Sequence, residues 1–223
     1  MALAYDKGGG DYEYNTSTSG CTFNLAAASA DSVAIIFVIY NPAAAGADWA
    51  NTPTVGGVSA TQIGSTFNWT GTQYMRAYYF LNPPTSSTAY LVTTDTIGVD
   101  KDIEMHALIY SGADQVSQPD SNNTGSATPS VTLSTTVVAS NCWLVSCGRN
   151  ANVGIPSAGT GTTLRSTAFD TSFASGDSNG TVGTGAQTMQ WTAAAGLTAG
   201  IIISIDPSGG VTVTAPPLYV IFN

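Results

Sequence analysis

"RAYYFLNPPTSSTAYLVTTD", residues 76–95, decides the fold class. Tyr78, Tyr79 and Phe80 suit a pleated, half-buried surface, and so do Leu91, Val92, Thr93 and Thr94 on the far side. Pro83 and Pro84 between them lack backbone N–H groups and have fixed φ, so neither belongs inside a ladder. Asn82, which precedes a proline, is expected to be extended. The stretch therefore reads as strand, corner, strand.

Outward from that corner the same pattern recurs. Strand-length runs are expected at 20–25, 32–40, 54–63 (broken at Gly56 and Gly57), 75–82, 88–94, 102–111, 130–135, 142–148, 163–169, 187–192, 200–206 and 211–214. No amphipathic helix emerges anywhere. Short strands at this spacing without crossover helices predict an all-β, antiparallel two-sheet β-sandwich. Segments 32–40 and 200–206 are apolar at both parities, so both are expected to be central strands buried on two faces. "DSNNTGSATPS" (120–130) and "SFASGDSNGTVGTG" (172–185) read as loops.

Both ends read as extended arms flanking a sandwich domain at 15–214. The head, 1–14, sets Tyr5, Tyr12 and Tyr14 around a hinge of three glycines, Gly8 to Gly10. The tail, 215–223, sends Leu218, Tyr219, Val220, Ile221 and Phe222 off as an apolar strand after Pro216 and Pro217. An apolar strand of this kind invites pairing, either with its own sheet or with a neighbouring subunit. These residues are the candidate assembly contacts.

Composition bounds the function. Only 9% of the chain is charged against 43% hydrophobic, so its surface is hydroxylated rather than ionic. Five Lys and Arg and a net charge of -9 exclude a phosphate-neutralising patch, and with it nucleic-acid binding. That charge also offers no attraction to anionic lipid. "MALAYDKGGGDYEYN" has no apolar stretch after a basic start, so no signal peptide is expected. The longest apolar run, "VAIIFVIY", is about a third of a membrane span. Cys142 and Cys147 lie roughly 16 Å apart along a strand, too far to bridge each other. Cys21 can reach one of them across a sheet, but buried reduced thiols are the simpler reading of an odd count.

Five stretches in order, "NTSTSGCTFNL", "TVGGVSATQIG", "YYFLNPPTSSTAYLVTT", "ALIYSGADQ" and "CWLVSCGRN", resemble a group of concanavalin-like or jelly-roll β-sandwich proteins of phage and bacterial surfaces. The likeness covers Asn15 to Asp206. Here "PPTSST" stands where the group usually has glycine after the second proline, and "YSGADQ" replaces "FSGVDQ". The resemblance implies a jelly-roll or concanavalin-like sandwich with the Pro-Pro corner joining two strands of one sheet. It also implies a non-enzymatic structural protein of a virion, as capsid decoration or a tail or fibre subunit. Its partners would be copies of itself and other virion proteins. The alternative is a carbohydrate-binding module on an extracellular surface, reading a host-surface glycan.

Several constellations bear on chemistry. Asp102, Glu104 and His106 share one face of a strand, but neighbours on that face lie about 7 Å apart, too wide for one metal ion. His106 is the single histidine of the chain and is expected to be a solvated or hydrogen-bonded strand residue. "GDSNG", residues 176–180, matches the Gly-x-Ser-x-Gly elbow of hydrolases but is followed by no helix, so it is a chance match. Asp114, Asp120, Asn122 and Asn123 offer calcium-type oxygens, and so do Asp170, Asp177 and Asn179. Neither group has the alternation of a calcium loop, and Asx turns account for both. Trp49 and Trp69, in loops, are the candidate glycan platform if they do not serve as packing caps; Trp143 and Trp191 are expected in the core. No catalytic, cofactor-binding or metal-ligating residue is assigned.

Overall fold

The structure, a computed structural model, describes residues 2–14, 20–41, 50–93, 102–116, 118–151, 154, 156–167 and 172–209. Trp49, Asp170, the 211–214 strand and the whole tail lie outside them, as do the side chains of Tyr14 and Asp102.

All regular structure among the described residues is strand. The first half of the chain supplies β1 (Ala4–Tyr14), β2 (Thr22–Leu25), β3 (Ser32–Asn41), β4 (Thr54–Val55), β5 (Val58–Ser59), β6 (Thr61–Asn68), β7 (Tyr74–Leu81), β8 (Thr88–Leu91) and β9 (Asp102–Ser111). The second half supplies β10 (Ser121–Ala127), β11 (Val131–Val137), β12 (Trp143–Asn150), β13 (Ser157–Ala158), β14 (Thr163–Thr167), β15 (Phe173–Asp177), β16 (Gly185–Thr192) and β17 (Thr198–Ile205).

Two five-stranded antiparallel sheets pack face to face, ordered β1-β9-β3-β7-β6 and β10-β17-β12-β15-β14. Each sheet draws its strands from one half of the chain. Their edges align, with β1 against β14 and β6 against β10, as expected for aligned sheet packing. Val33, Ile35, Phe37 and Ile39 of β3 meet Val145 and Cys147 of β12 and Ile201, Ile203 and Ile205 of β17 between the sheets.

Small sheets cover the outer faces. β2-β8-β4-β5 lies over the first large sheet, burying Ala34, Ile36, Val38 and Tyr40. β11-β16-β13 covers the second, with Trp191 of β16 in one cluster with Leu144 and Ile202. This layering is why β3 and β17 are apolar at both parities, whereas β11 alternates buried and exposed along its length. Gly148 of β12 makes room for one packing anchor, since a Cβ there would stand 2.4 Å from the Trp191 ring.

Three expectations about the corner and the loops require correction. The Pro-Pro corner does not join strands of one sheet: β7 lies in the large sheet and β8 in its cover, so the corner carries the chain between layers. Asn82 is not extended but left-handed, with φ +50°, a conformation asparagine tolerates better than most residues. Its N–H donates to Ser32 O at 3.0 Å and to Gln115 Oε1 at 3.1 Å, which fixes the turn. Finally, β10 and β15 occupy the stretches read as loops.

The head is extended, yet it belongs to the sheet. β1 pairs with β9 from Ala4↔Ser111 to Tyr14↔Asp102. Its three glycines are no hinge. A Cβ on Gly8 would stand 2.6 Å from Leu108 Cδ2, and one on Gly10 2.5 Å from His106 Cδ2. Glycine is required because the strand crosses these side chains at contact distance.

Candidate functional site

β9 turns Glu104, His106 and Tyr110 toward the space between the two large sheets, where β15 presents Phe173, Ser175 and Asp177. The two strands come from opposite halves of the chain, so polar bonds between them cross the main core. His106 Nδ1 lies 3.1 Å from Ser175 Oγ and Nε2 lies 3.0 Å from Glu104 Oε1. One tautomer satisfies both contacts: Nε2–H donates to the carboxylate, and Nδ1 accepts the serine hydroxyl hydrogen. Phe173 packs on the imidazole at a centroid distance of 4.2 Å. Arg149 Nη1 of β12 approaches Glu104 Oε2 at 4.0 Å, so the buried carboxylate faces a cation.

A second cluster lies one turn of the pleat away. The Tyr110 hydroxyl donates to Asp177 Oδ2 at 3.0 Å, and Arg165 Nε of β14 donates to the same oxygen at 2.8 Å. The Asn179 N–H caps Asp177 Oδ1 at 2.8 Å. The Arg165 guanidinium lies over the Tyr5 ring, 4.3 Å from its centroid, so the head strand closes this cluster. Burial pushes the Tyr110 phenol well above its usual range, and the charge and hydrogen bond of Asp177 push it further. Arg165 holds its proton more tightly than usual: partial burial opposes this, but the hydrogen bond and charge of Asp177 outweigh it.

Chemically, Ser175, His106 and Glu104 form the hydroxyl–imidazole–carboxylate chain of a hydrolase triad. Geometry denies it a substrate. The side chains of Glu104 and His106 are 0% exposed, and Ser175 is 0% exposed. A nucleophile needs a reacting atom about 3 Å away, and here that space is filled by core.

The other expected sites fall out as follows. The "GDSNG" elbow is the end of β15 and its turn, where the Ser178 hydroxyl donates to Gly180 O at 2.7 Å and receives Leu144 N–H at 3.1 Å. Asp177 is buried on Arg165, and Asn179 Oδ1 also accepts from that guanidinium at 2.6 Å, so this pair is no calcium loop. Asn122 and Asn123 lie on β10. Trp69 is 8% exposed and packs in the main core. Trp143 and Trp191 are core. Tyr5 and Tyr12 lie half-buried on β1. A cleft of about 220 Å³ between β6 and β10 is lined by Ser65, Asn122, Asn123 and Thr124 over Ile201. It lies below the roughly 300 Å³ at which small-molecule sites begin.

All three cysteines are reduced and buried. Burial pushes the Cys147 thiol well up and raises that of Cys142 to about 12.

The cations are also drawn inward. Arg76 is 8% exposed, with Nη1 on Ala50 O at 2.7 Å and Nε on Thr66 Oγ1 at 2.9 Å. Arg149 is buried and the Arg165 side chain is mostly so. Among the described residues, Lys7 has the most exposed cationic side chain, at 43%.

The molecule is an antiparallel β-sandwich whose polar core is sealed. Compared with protein-family models, curated proteins and solved structures, the chain matches none of them.

Proposed function

We propose that this chain is a non-enzymatic structural subunit of a phage particle, a capsid decoration or a tail or fibre component that packs beside copies of itself and other virion proteins. The observation that carries the non-enzymatic part of the reading is the sealed Glu104–His106–Ser175 chain: the one triad-like constellation among the described residues faces the core and not solvent. The virion part rests on the sequence resemblance and the terminal arms. The surface combines hydroxyl, amide and carboxylate groups with singly exposed Val58, Val116 and Val138, suited to packing.

The sheet edges support one contact over others. β1, β6 and β14 each carry a register break, at Tyr5/Lys7, Ile63/Phe67 and Leu164/Ser166. Such irregularities blunt an edge against pairing. Of the four outer strands of the two large sheets, β10 is the one without a break, regular from Ser121↔Ser204 to Ala127↔Thr198. Its edge, together with the tail from Leu218 to Phe222, is the assembly contact we assign. Quantitative mass spectrometry of purified, salt-washed particles tests this. The chain is expected at a fixed copy number relative to the other particle proteins. Its absence from particles, with the protein free in the lysate, would overturn the proposal.

A further inference from the structure

We propose that Asp120, Cys142 and Asp206 form a binding site for a thiophilic divalent metal ion of the zinc class. The three residues come from the same end of neighbouring strands. Asp120 immediately precedes β10, Cys142 immediately precedes β12, and Asp206 immediately follows β17. Continuing the Trp143↔Ile205 register by one residue sets Cys142 opposite Asp206. One ligand atom from each residue lies within 4.8 Å of the other two, and Cys142 Sγ is 3.1 Å from Asp206 Oδ1. Tetrahedral zinc with bonds of about 2.0–2.3 Å needs ligands about 3.3–3.8 Å apart. Small side-chain adjustments reach that spacing.

The cluster is braced. Both Asp120 oxygens are oriented by backbone donors, Val138 N–H at 2.8 Å and Ala139 N–H at 3.0 Å. Asp206 is held through its backbone, its N–H on Gln118 Oε1 at 3.1 Å and its carbonyl receiving Gln118 Nε2 at 2.8 Å. Backbone bonding from Asp120 N–H to Ser204 O at 2.9 Å ties the first ligand to the strand carrying the third.

An independent observation points to a missing ligand. The Ser204 hydroxyl is fully buried, and its one polar neighbour is the Cys142 sulfur, a weak acceptor. It lies two residues before Asp206 on the same strand face, beside the Cys142 sulfur. A buried hydroxyl that meets only a thiol is poorly satisfied; metal binding turns that thiol into a thiolate, a stronger acceptor, and leaves the hydroxyl oxygen as a candidate fourth ligand. Asp120 and Asp206 are half-exposed while Cys142 closes the site from beneath, so an ion has an entry path. The soft sulfur disfavours calcium and magnesium, which take oxygen ligands in greater number. On binding, the Cys142 S–H bond breaks, its proton passes to solvent and the S–metal bond forms, with no change of oxidation state.

Cobalt(II) titrated into the full chain, purified reduced and metal-free, reads the site directly. The expected result is one ion per chain, a thiolate-to-cobalt charge-transfer band and displacement by zinc. The band should vanish in C142S and persist in C21S. D120N and D206N should each weaken affinity by at least about tenfold, the loss typical even of groups that only support a metal. In the unmutated protein, zinc should also raise the urea midpoint, because the native state binds the ion more tightly than the unfolded chain, a readout that needs no variant to fold. Absence of the band, its persistence in C142S, or a urea midpoint unchanged by saturating zinc would overturn the proposal.

Discussion

Gly10 faces His106 across the β1–β9 ladder so closely that a Cβ on Gly10 would stand 2.5 Å from the imidazole Cδ2 and 2.8 Å from Met105 O. The backbone oxygen cannot yield as a flexible side chain would. Gly10→Ala should therefore destabilise the protein by about 1–3 kcal/mol, the cost of overpacking a close-packed site. Gly183→Ala, with nothing within 4 Å of its Cβ, should change stability by less than about 0.5 kcal/mol. Urea unfolding of the two variants checks the contrast. Equal effects would show that β1 is not seated on His106.

Asp177 gathers Tyr110, Arg165 and the Asn179 N–H at the seam between the two halves of the chain. Asp177→Asn keeps the shape but removes the charge that Arg165 faces. Breaking a buried pair costs about 3–5 kcal/mol. Arg165 keeps 18% side-chain exposure, so the lower end, about 3 kcal/mol, is expected. Tyr110→Phe, which loses one hydrogen bond, should cost about 1 kcal/mol. Denaturant midpoints with an unchanged m-value check both; an Asp177→Asn loss below that of Tyr110→Phe would contradict the network.

Much of the fold was legible because strand signals are strong where apolar residues are dense. β3 and β17 declare burial on both faces, and β9 was bounded at both ends by its polar flanks. β10 and β15 were not legible, for different reasons. β10, "SNNTGSA", is an edge strand held by backbone bonds to β17, so its side chains carry no apolar pattern. β15, "FASGD", is wholly buried, but its small residues dilute the signal, and its odd positions present Phe173, Ser175 and Asp177 to the core. The candidate site was half legible for the same reason. Glu104 and His106 shared a visible parity, whereas their partners Ser175 and Arg149 became neighbours only when the sheets stacked. The glycine triplet misled because sequence alone does not distinguish a hinge from a close crossing.

Burial raises the phenols of Tyr5, Tyr90 and Tyr110 above their usual value of 10.0, and it raises the Cys142 thiol from 9.0 to about 12. A proton held more tightly when folded contributes stability that is complete below the unfolded pKa and is lost as pH rises toward the folded one. The protein should thus lose stability progressively above about pH 9, first through the thiols and then, above about pH 10, through the tyrosines. Urea midpoints at pH 7, 9 and 11 check the trend. Tyrosinate absorbance from the buried phenols should appear together with unfolding. A midpoint unchanged up to pH 11 would contradict the burial of these groups.

The account rests on the sealing of the Ser175–His106–Glu104 chain, and because His106 is the single histidine of the protein, its accessibility is read without ambiguity. Native protein treated with diethyl pyrocarbonate and a fluorophosphonate probe, then digested and analysed by mass spectrometry, should carry neither label at His106 or Ser175. The imidazole should react only once denaturant opens the sandwich. Stoichiometric fluorophosphonate labelling of Ser175 in the native protein, abolished by His106→Ala, would contradict the account and make the chain a hydrolase.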